Sequence, residues 1–274
     1  MSYALPLAFA VFIWWFSTGL VILLDNLPRT TFRWSQLIST LLGLASLIGL
    51  AHTADQATVT GAYCAFSCAL LLWGWHELSF LTGWVTGPRR RAASPNAHGV
   101  QRLLQAVQAI VWHELAIAIS AALVVAITWR EPNQIGAWTF GVLWVMRLSA
   151  KFNVFLGVRN LSTELLPQHL KYLASYFRAR PMNPLLPWSI AAGSAAAVVA
   201  LREAVRAPAD SAASVGALLV GALIVLAVIE HWLLVLPVRA SALWRWALRR
   251  QQPTLPVNDA PVVIEHDDAL LHAR

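Results

Sequence analysis

Apolar residues fall along this chain in long blocks, separated by short polar or basic interruptions. A helix needs about 20 apolar residues to cross a hydrocarbon core of about 30 Å. Seven blocks reach or approach that length, at roughly residues 4–24, 35–51, 58–85, 100–129, 135–158, 188–205 and 215–236. The interruptions carry turn and stop signals. Asp25-Asn26-Leu27-Pro28 precedes Arg29 and Arg33, Gly87-Pro88-Arg89-Arg90-Arg91 closes the third block, and Arg130-Glu131-Pro132-Asn133 separates the fourth from the fifth. The longest non-spanning segment is 159–187. Within it, Leu170, Leu173, Tyr176 and Phe177 follow Pro167 with the spacing of a helix lying on the membrane surface, and Pro181, Pro184 and Pro187 end it. The polar, proline-containing stretch 251–274 predicts a disordered tail. The expectation is an all-α integral membrane protein with one membrane domain over 1–250, built from about seven spans and including the interfacial segment 159–187.

Composition strengthens the membrane reading. Charged residues make up 12% of the chain and hydrophobic ones 58%, with a mean hydropathy of +0.60; soluble domains carry about 25% charged residues. The net charge of +7 does not point to nucleic acid, because the basic residues sit in short loops, where they set topology. Arg29, Arg33, Arg89, Arg90, Arg91, Arg102, Arg159, Lys171, Arg178, Arg180, Arg239, Arg245, Arg249 and Arg250 fall at one set of block ends. Only Arg130, Arg202 and Arg206 fall at the other. The positive-inside rule then places the N-terminus in the periplasm and the C-terminus in the cytoplasm. The first block lacks a basic leader and a small-residue cleavage site, so it reads as a retained span. Cys64 and Cys68 stand one helical turn apart in an apolar block and read as small core residues.

The candidate chemistry is a set of ionisable pairs inside those blocks. Trp75-His76-Glu77-Leu78 is nearly repeated at Trp112-His113-Glu114-Leu115, and the seventh block carries Glu230-His231-Trp232. A charged residue at a span centre costs roughly 2.5–3.5 kcal/mol on insertion scales, so such pairs are closely partnered or functional. Counted at 1.5 Å per residue from the nearest basic residues, all three pairs fall about 12–20 Å from the cytoplasmic rim. Arg147 shares that layer, and Lys151 and Asn153 lie a turn or two nearer the cytoplasm. Glu164 and His169 are placed to fold over it as a lid.

The candidate ligands are therefore His76, Glu77, His113, Glu114, Glu164, His169, Glu230 and His231, with Arg147, Lys151, Asn153, Arg159 and Asn160 as supporting polar groups. Three arrangements stand open. A His/carboxylate set between helices suits a di-metal centre of iron or a similar ion. One or two His could instead serve a tetrapyrrole or quinone, with Trp73, Trp75, Trp112, Trp144 and Trp232 as walls. The third is an ion-pair network in which Arg147 and Lys151 meet Glu77, Glu114 or Glu230. Adjacent helical residues point about 100° apart, which weakens the metal arrangement. The chain has no phosphate-binding loop, dinucleotide fingerprint, Ser-His-Asp spacing or Cys-x-x-Cys pair.

Past the fifth block the text becomes distinctive. Lys151-Phe152-Asn153-Val154-Phe155-Leu156-Gly157-Val158-Arg159-Asn160-Leu161-Ser162 runs on through Glu164, His169-Leu170-Lys171-Tyr172-Leu173, Ser175-Tyr176-Phe177 and Pro181-Met182-Asn183-Pro184-Leu185. With the Trp-His-Glu-Leu and Glu-His-Trp motifs, it resembles the PuhE family of photosynthetic complex assembly proteins of purple phototrophic bacteria, over roughly 4–248. The resemblance implies a multi-pass protein of the bacterial inner membrane that helps build the photosynthetic reaction centre or its antenna. Its partners would be reaction-centre or light-harvesting subunits or other assembly factors. The role could involve bacteriochlorophyll or carotenoid. The alternative is a membrane metalloenzyme acting on a tetrapyrrole, carotenoid or quinone. A proton-coupled transporter is a third option, since buried Glu and His also build proton relays.

Overall fold

The computed structural model describes residues 3–238 and 240–248. The expected tail 251–274 and the basic residues Arg239, Arg249 and Arg250 lie outside the described residues. Among the described residues seven long helices form: α1 (Ala4–Asp25), α2 (Phe32–Thr53), α3 (Val59–Leu81), α4 (Gly99–Ile127), α5 (Ile135–Leu156), α6 (Leu185–Arg206) and α7 (Ala212–Leu233). No strand forms among the described residues; Val158 and Ala179 make a single parallel bridge. Six stretches of the described residues are long and apolar enough to cross a membrane: α1, Arg29–Thr53, α3, α4, α6 and α7. Helix α5 is as long as α1, but Arg147, Lys151 and Asn153 dilute its apolar run.

α3 and α7 form the middle of the bundle. Their most apolar stretches are 56% and 61% buried, against at most 22% in the other spanning candidates. The sequence explains this. Both helices are apolar on all faces until their last turns, and such a helix is stable only when surrounded. α3 packs on α1, α2, α4, α5 and α7, while α6 lies along α7. One apolar cluster joins Ala10, Phe66, Leu70, Leu219 and Leu223 across α1, α3 and α7. A second joins Leu50, Ala69, Trp73, Ile117 and Phe140 across α2, α3, α4 and α5. Polar side chains tie α2 to α3. Gln36 donates to the Ser79 hydroxyl at 2.6 Å, and the Trp75 indole donates to Thr40 at 2.9 Å. Thr58 and Ser211 cap the N-termini of α3 and α7 by accepting from the Gly61 and Ser214 amides.

Two connections differ from expectation, and both shape the site. The third block was expected to run helically to residue 85, but α3 stops at Leu81. The Gly83 amide bonds to Phe80 O and the Trp84 amide to Ser79 O, with Gly83 at φ +82°, which is a Schellman ending. The strap that follows runs along α4. The His113 amide donates to Thr86 O at 2.9 Å and the Arg89 amide to Gln108 O at 3.2 Å. The approach is so close that a Cβ on Gly87 would lie 2.2 Å from Gln108 O.

The second difference is the segment expected on the membrane surface. It forms a 3-10 helix, Gln168–Tyr176, and its apolar side packs on the protein itself. Leu170, Leu173 and Tyr176 recur every third residue. A 3-10 helix stacks such residues on one face. That face meets Phe80 of α3 and Ala109 of α4, and all three residues are buried.

Candidate functional site

The end of α3, the strap, the 3-10 segment and the first half of α4 enclose one end of the bundle. Beneath this cover lies the first polar cluster, on α3, α4 and α5. His76 and His113 are each 1% exposed, with ring centroids 6.4 Å apart. His76 packs against Trp75 and Phe140, and His113 against Phe80. Lys151 donates to Glu114 Oε1 at 2.5 Å and lies 5.9 Å from the Phe80 ring centroid. The Trp144 indole donates to the other oxygen, Glu114 Oε2, at 3.4 Å. Beside this pair, Arg147 donates to Glu77 Oε2 at 3.0 Å. Glu230 of α7 is half-buried and within electrostatic range of Arg147. Lys151 and Arg147 sit four residues apart on α5, so one helix face presents both cations to the carboxylates of α3 and α4. Glu114 and Glu77 are thus each answered by a cation, although the Arg147 side chain is 46% exposed, Glu77 Oε1 has no partner, and Glu230 forms no ion pair among the described residues. The two pairs offset part of the cost of placing charge between apolar helices.

His231 belongs to a second cluster, on α5, α6 and α7. Its Nδ1 faces Ala227 O at 2.8 Å and its Nε2 faces the Ser149 hydroxyl at 2.9 Å. Ser149 donates to Ser189, and Asn153 donates to the same Ser189 oxygen and to Ser149 O. Asn183 completes the chain. Its amide group donates to Asn153 O and Gly157 O, and its oxygen accepts from the Leu185 and Leu186 amides, capping α6. Asn160 serves the end of α7. Its backbone amide donates to Leu234 O, and its side chain donates to Leu233 O at 2.7 Å and to Leu236 O.

The cover has its own polar hub at Tyr176. Its hydroxyl accepts from Arg89 Nε at 2.7 Å and donates to Arg91 O at 3.0 Å. Its carbonyl accepts from Arg102 at 2.5 Å, and Arg102 also lies over the Phe155 ring. His169 reaches Leu81 O at 2.7 Å, at the end of α3. Burial, and secondarily the nearby Arg29 charge, push the His169 imidazole below its ordinary pKa, against the pull of the Leu81 bond.

The thirteen candidate residues therefore do not share one shell. His76, Glu77, His113, Glu114, Arg147 and Lys151 form one cluster, with Glu230 at its edge. His231 and Asn153 belong to the other. His169 is in the cover, Asn160 caps α7, and Glu164 and Arg159 are exposed. Among the described residues, no three or more His, Cys, Asp or Glu come together as metal ligands. Trp144 lines the first cluster, whereas Trp112 and Trp232 point outward, so they are not walls of a pocket there.

The expected depth also shifts. His76 stands only five positions before the last residue of α3, and the backbone bond from Arg89 to Gln108 brings the basic strap within about 7.5 Å of axis from His113. Counting helical rise out to Arg89 overstated the distance, because residues 82–91 are not helical. Ser149, Ser189, Asn183, Gln36 and Ser79 were not among the candidates. Their signal is a small polar residue inside an apolar block, which becomes informative only once the facing helix is known.

The chain belongs to the family described as "Protein of unknown function (DUF3623)", whose model matches residues 1–254. It is 39% identical, over 242 residues, to a Rhodobacter capsulatus protein described as "Uncharacterized 30.4 kDa protein in puhA 5'region". The alignment covers 87% of this chain and 88% of the relative. No solved structure matches.

Proposed function

We propose that this chain is a non-enzymatic assembly factor for the photosynthetic reaction centre or its antenna complex, acting in the bacterial inner membrane. The observation that carries this reading is the pairing of both cations of the charged layer. Lys151 and Glu114 answer each other, as do Arg147 and Glu77. The charges are used to hold α3, α4 and α5 in register, which suits a scaffold for a partner more than a reactive centre. The resemblance to the PuhE family and the relative's description as a protein of the puhA 5′ region support the photosynthetic context. We further infer seven crossings, with α5 as the seventh span and the basic end in the cytoplasm, in keeping with the charge bias between the two ends. On this reading the lipid-facing surfaces of the outer helices receive the partner subunits or their pigments.

A second reading is a membrane metalloenzyme acting on a tetrapyrrole, carotenoid or quinone. One observation favours it: the rings of His76 and His113 adjoin, and His76 Nε2 and His113 Nδ1 have no hydrogen-bond partner. Both readings are tested by purifying the tagged full-length protein from phototrophically grown membranes. The assembly reading expects co-purified reaction-centre or light-harvesting polypeptides, or a bound pigment spectrum, without stoichiometric metal. Stoichiometric transition metal without such polypeptides would favour the enzyme. Absence of polypeptides, pigment and metal alike would overturn both.

A further inference from the structure

Three helix ends meet beside the cover. The C-terminal turn of α3 delivers Trp84, and the short 3-10 turn Arg29–Thr31 leads from α1 into the start of α2. Between them lies an open surface groove of about 390 Å³, lined by the exposed Arg29, Thr30, Arg33 and Trp84 and the buried Phe32. Among the described residues, neither Arg29 nor Arg33 has a carboxylate or hydrogen-bond partner. Arg33 has only the Trp34 ring, at 5.4 Å. The neighbouring basic residues behave differently. Arg89 and Arg102 at the same end are consumed by Tyr176, Ala92, Ser94 and Phe155. Arg29 and Arg33, both exposed and without a carboxylate partner among the described residues, line this groove together with Thr30. Such a pair makes an anion site, since guanidinium binds phosphate oxygens by paired hydrogen bonds.

The surroundings identify the kind of anion. From Arg33, the outward face of α2 continues through Leu37, Leu41, Leu44 and Ile48, which are 49%, 58%, 56% and 72% exposed. They recur at the spacing of one helix face, on a helix apolar enough to span a membrane. Trp84 lines the groove and is 57% exposed, as an indole is at a membrane interface. A phosphate head over an uninterrupted apolar stripe is the shape of a glycerophospholipid rather than of a free ion. We propose that this groove binds the headgroup phosphate of an anionic phospholipid, with Arg29 and Arg33 on the phosphate and the acyl chains along Leu37 and Leu41. The unbalanced positive charge gives the site its preference for a net-negative lipid, because a choline head would bring a second cation to it.

The test is native mass spectrometry of the full-length protein in detergent, titrated with phosphatidylglycerol, with phosphatidylcholine of the same chains, or with sodium phosphate. Phosphatidylglycerol should bind best, and Arg29→Gln combined with Arg33→Gln should weaken it about 30-fold. Arg90→Gln with Arg91→Gln, outside the groove, should leave it unchanged. If the double Arg29/Arg33 variant does not fold, each single change should show about a fivefold loss. Equal binding of the two lipids, unchanged affinity in the folded Arg29/Arg33 variants, or displacement of phosphatidylglycerol by inorganic phosphate at comparable concentration would overturn the proposal.

Discussion

Lys151 on α5 reaches Glu114 on α4 at 2.5 Å, with both side chains about four-fifths shielded. This pair links the second Trp-His-Glu-Leu motif to α5, among the described residues the one long helix too polar to rank with the six apolar spans. Removing one partner leaves the other charge stranded between helices. We expect Lys151→Met and Glu114→Gln each to destabilise the protein by about 3 kcal/mol, and the double change to cost less than their sum. Unfolding of the four proteins in one detergent measures the coupling. Additive losses would mean that the pair contributes no joint stability.

Tyr176 fastens the cover to the strap. Its hydroxyl bonds both Arg89 and Arg91 O. Tyr176→Phe should cost about 2 kcal/mol, as expected for a charge-assisted bond that is partly buried. Limited proteolysis should then cut residues 87–98 faster, with the helical bundle intact.

The cover should respond to pH. His169 is held below its ordinary pKa in the folded state, chiefly by burial, whereas in the unfolded chain it titrates near 6.5. The folded state therefore binds fewer protons between the lowered value and 6.5. Its stability from this group is full above 6.5 and is lost as pH falls below it. Exchange protection of amides 170–176, corrected for intrinsic rates, should drop on acidification, and His169→Gln should flatten that dependence.

Orientation can be read from labelling. With Cys64 and Cys68 replaced by Ala, a cysteine introduced at Asn96 should react only after the membrane is permeabilised from the periplasmic side. One introduced at Asp210 should react in intact cells. The opposite pattern would reverse the proposed topology.

Most helix limits were legible in the sequence, because apolar block length and turn residues mark them. The first block was expected at 4–24 and α1 is Ala4–Asp25; the fifth was expected at 135–158 and α5 is Ile135–Leu156. The end of α3 was not legible, since Trp84 and Val85 extend the apolar run past a glycine whose left-handed turn shows only in the backbone. The opposite charges of the layer were legible as a need for partners. Pairing Lys151 with Glu114 rather than with Glu77 depends on helix rotation, which block patterns do not fix. The separation of His231 from the other two histidines has the same origin. Its distance along α7 matched theirs, yet its ring turns toward Ser149 at the α6 side of α5. The period-three spacing of Leu170, Leu173 and Tyr176 was visible, but it fits a surface helix as well as a 3-10 helix until the faces of Phe80 and Ala109 are in place.

The most direct measurement of the assembly role is the reaction-centre and antenna content of membranes from a phototrophic host lacking this gene, read by absorption and by light-induced bleaching. The proposed function expects a marked loss of one or both complexes, restored by the wild-type gene and poorly restored by a gene carrying Lys151→Met. Unaltered complex content in the deletion strain would contradict it.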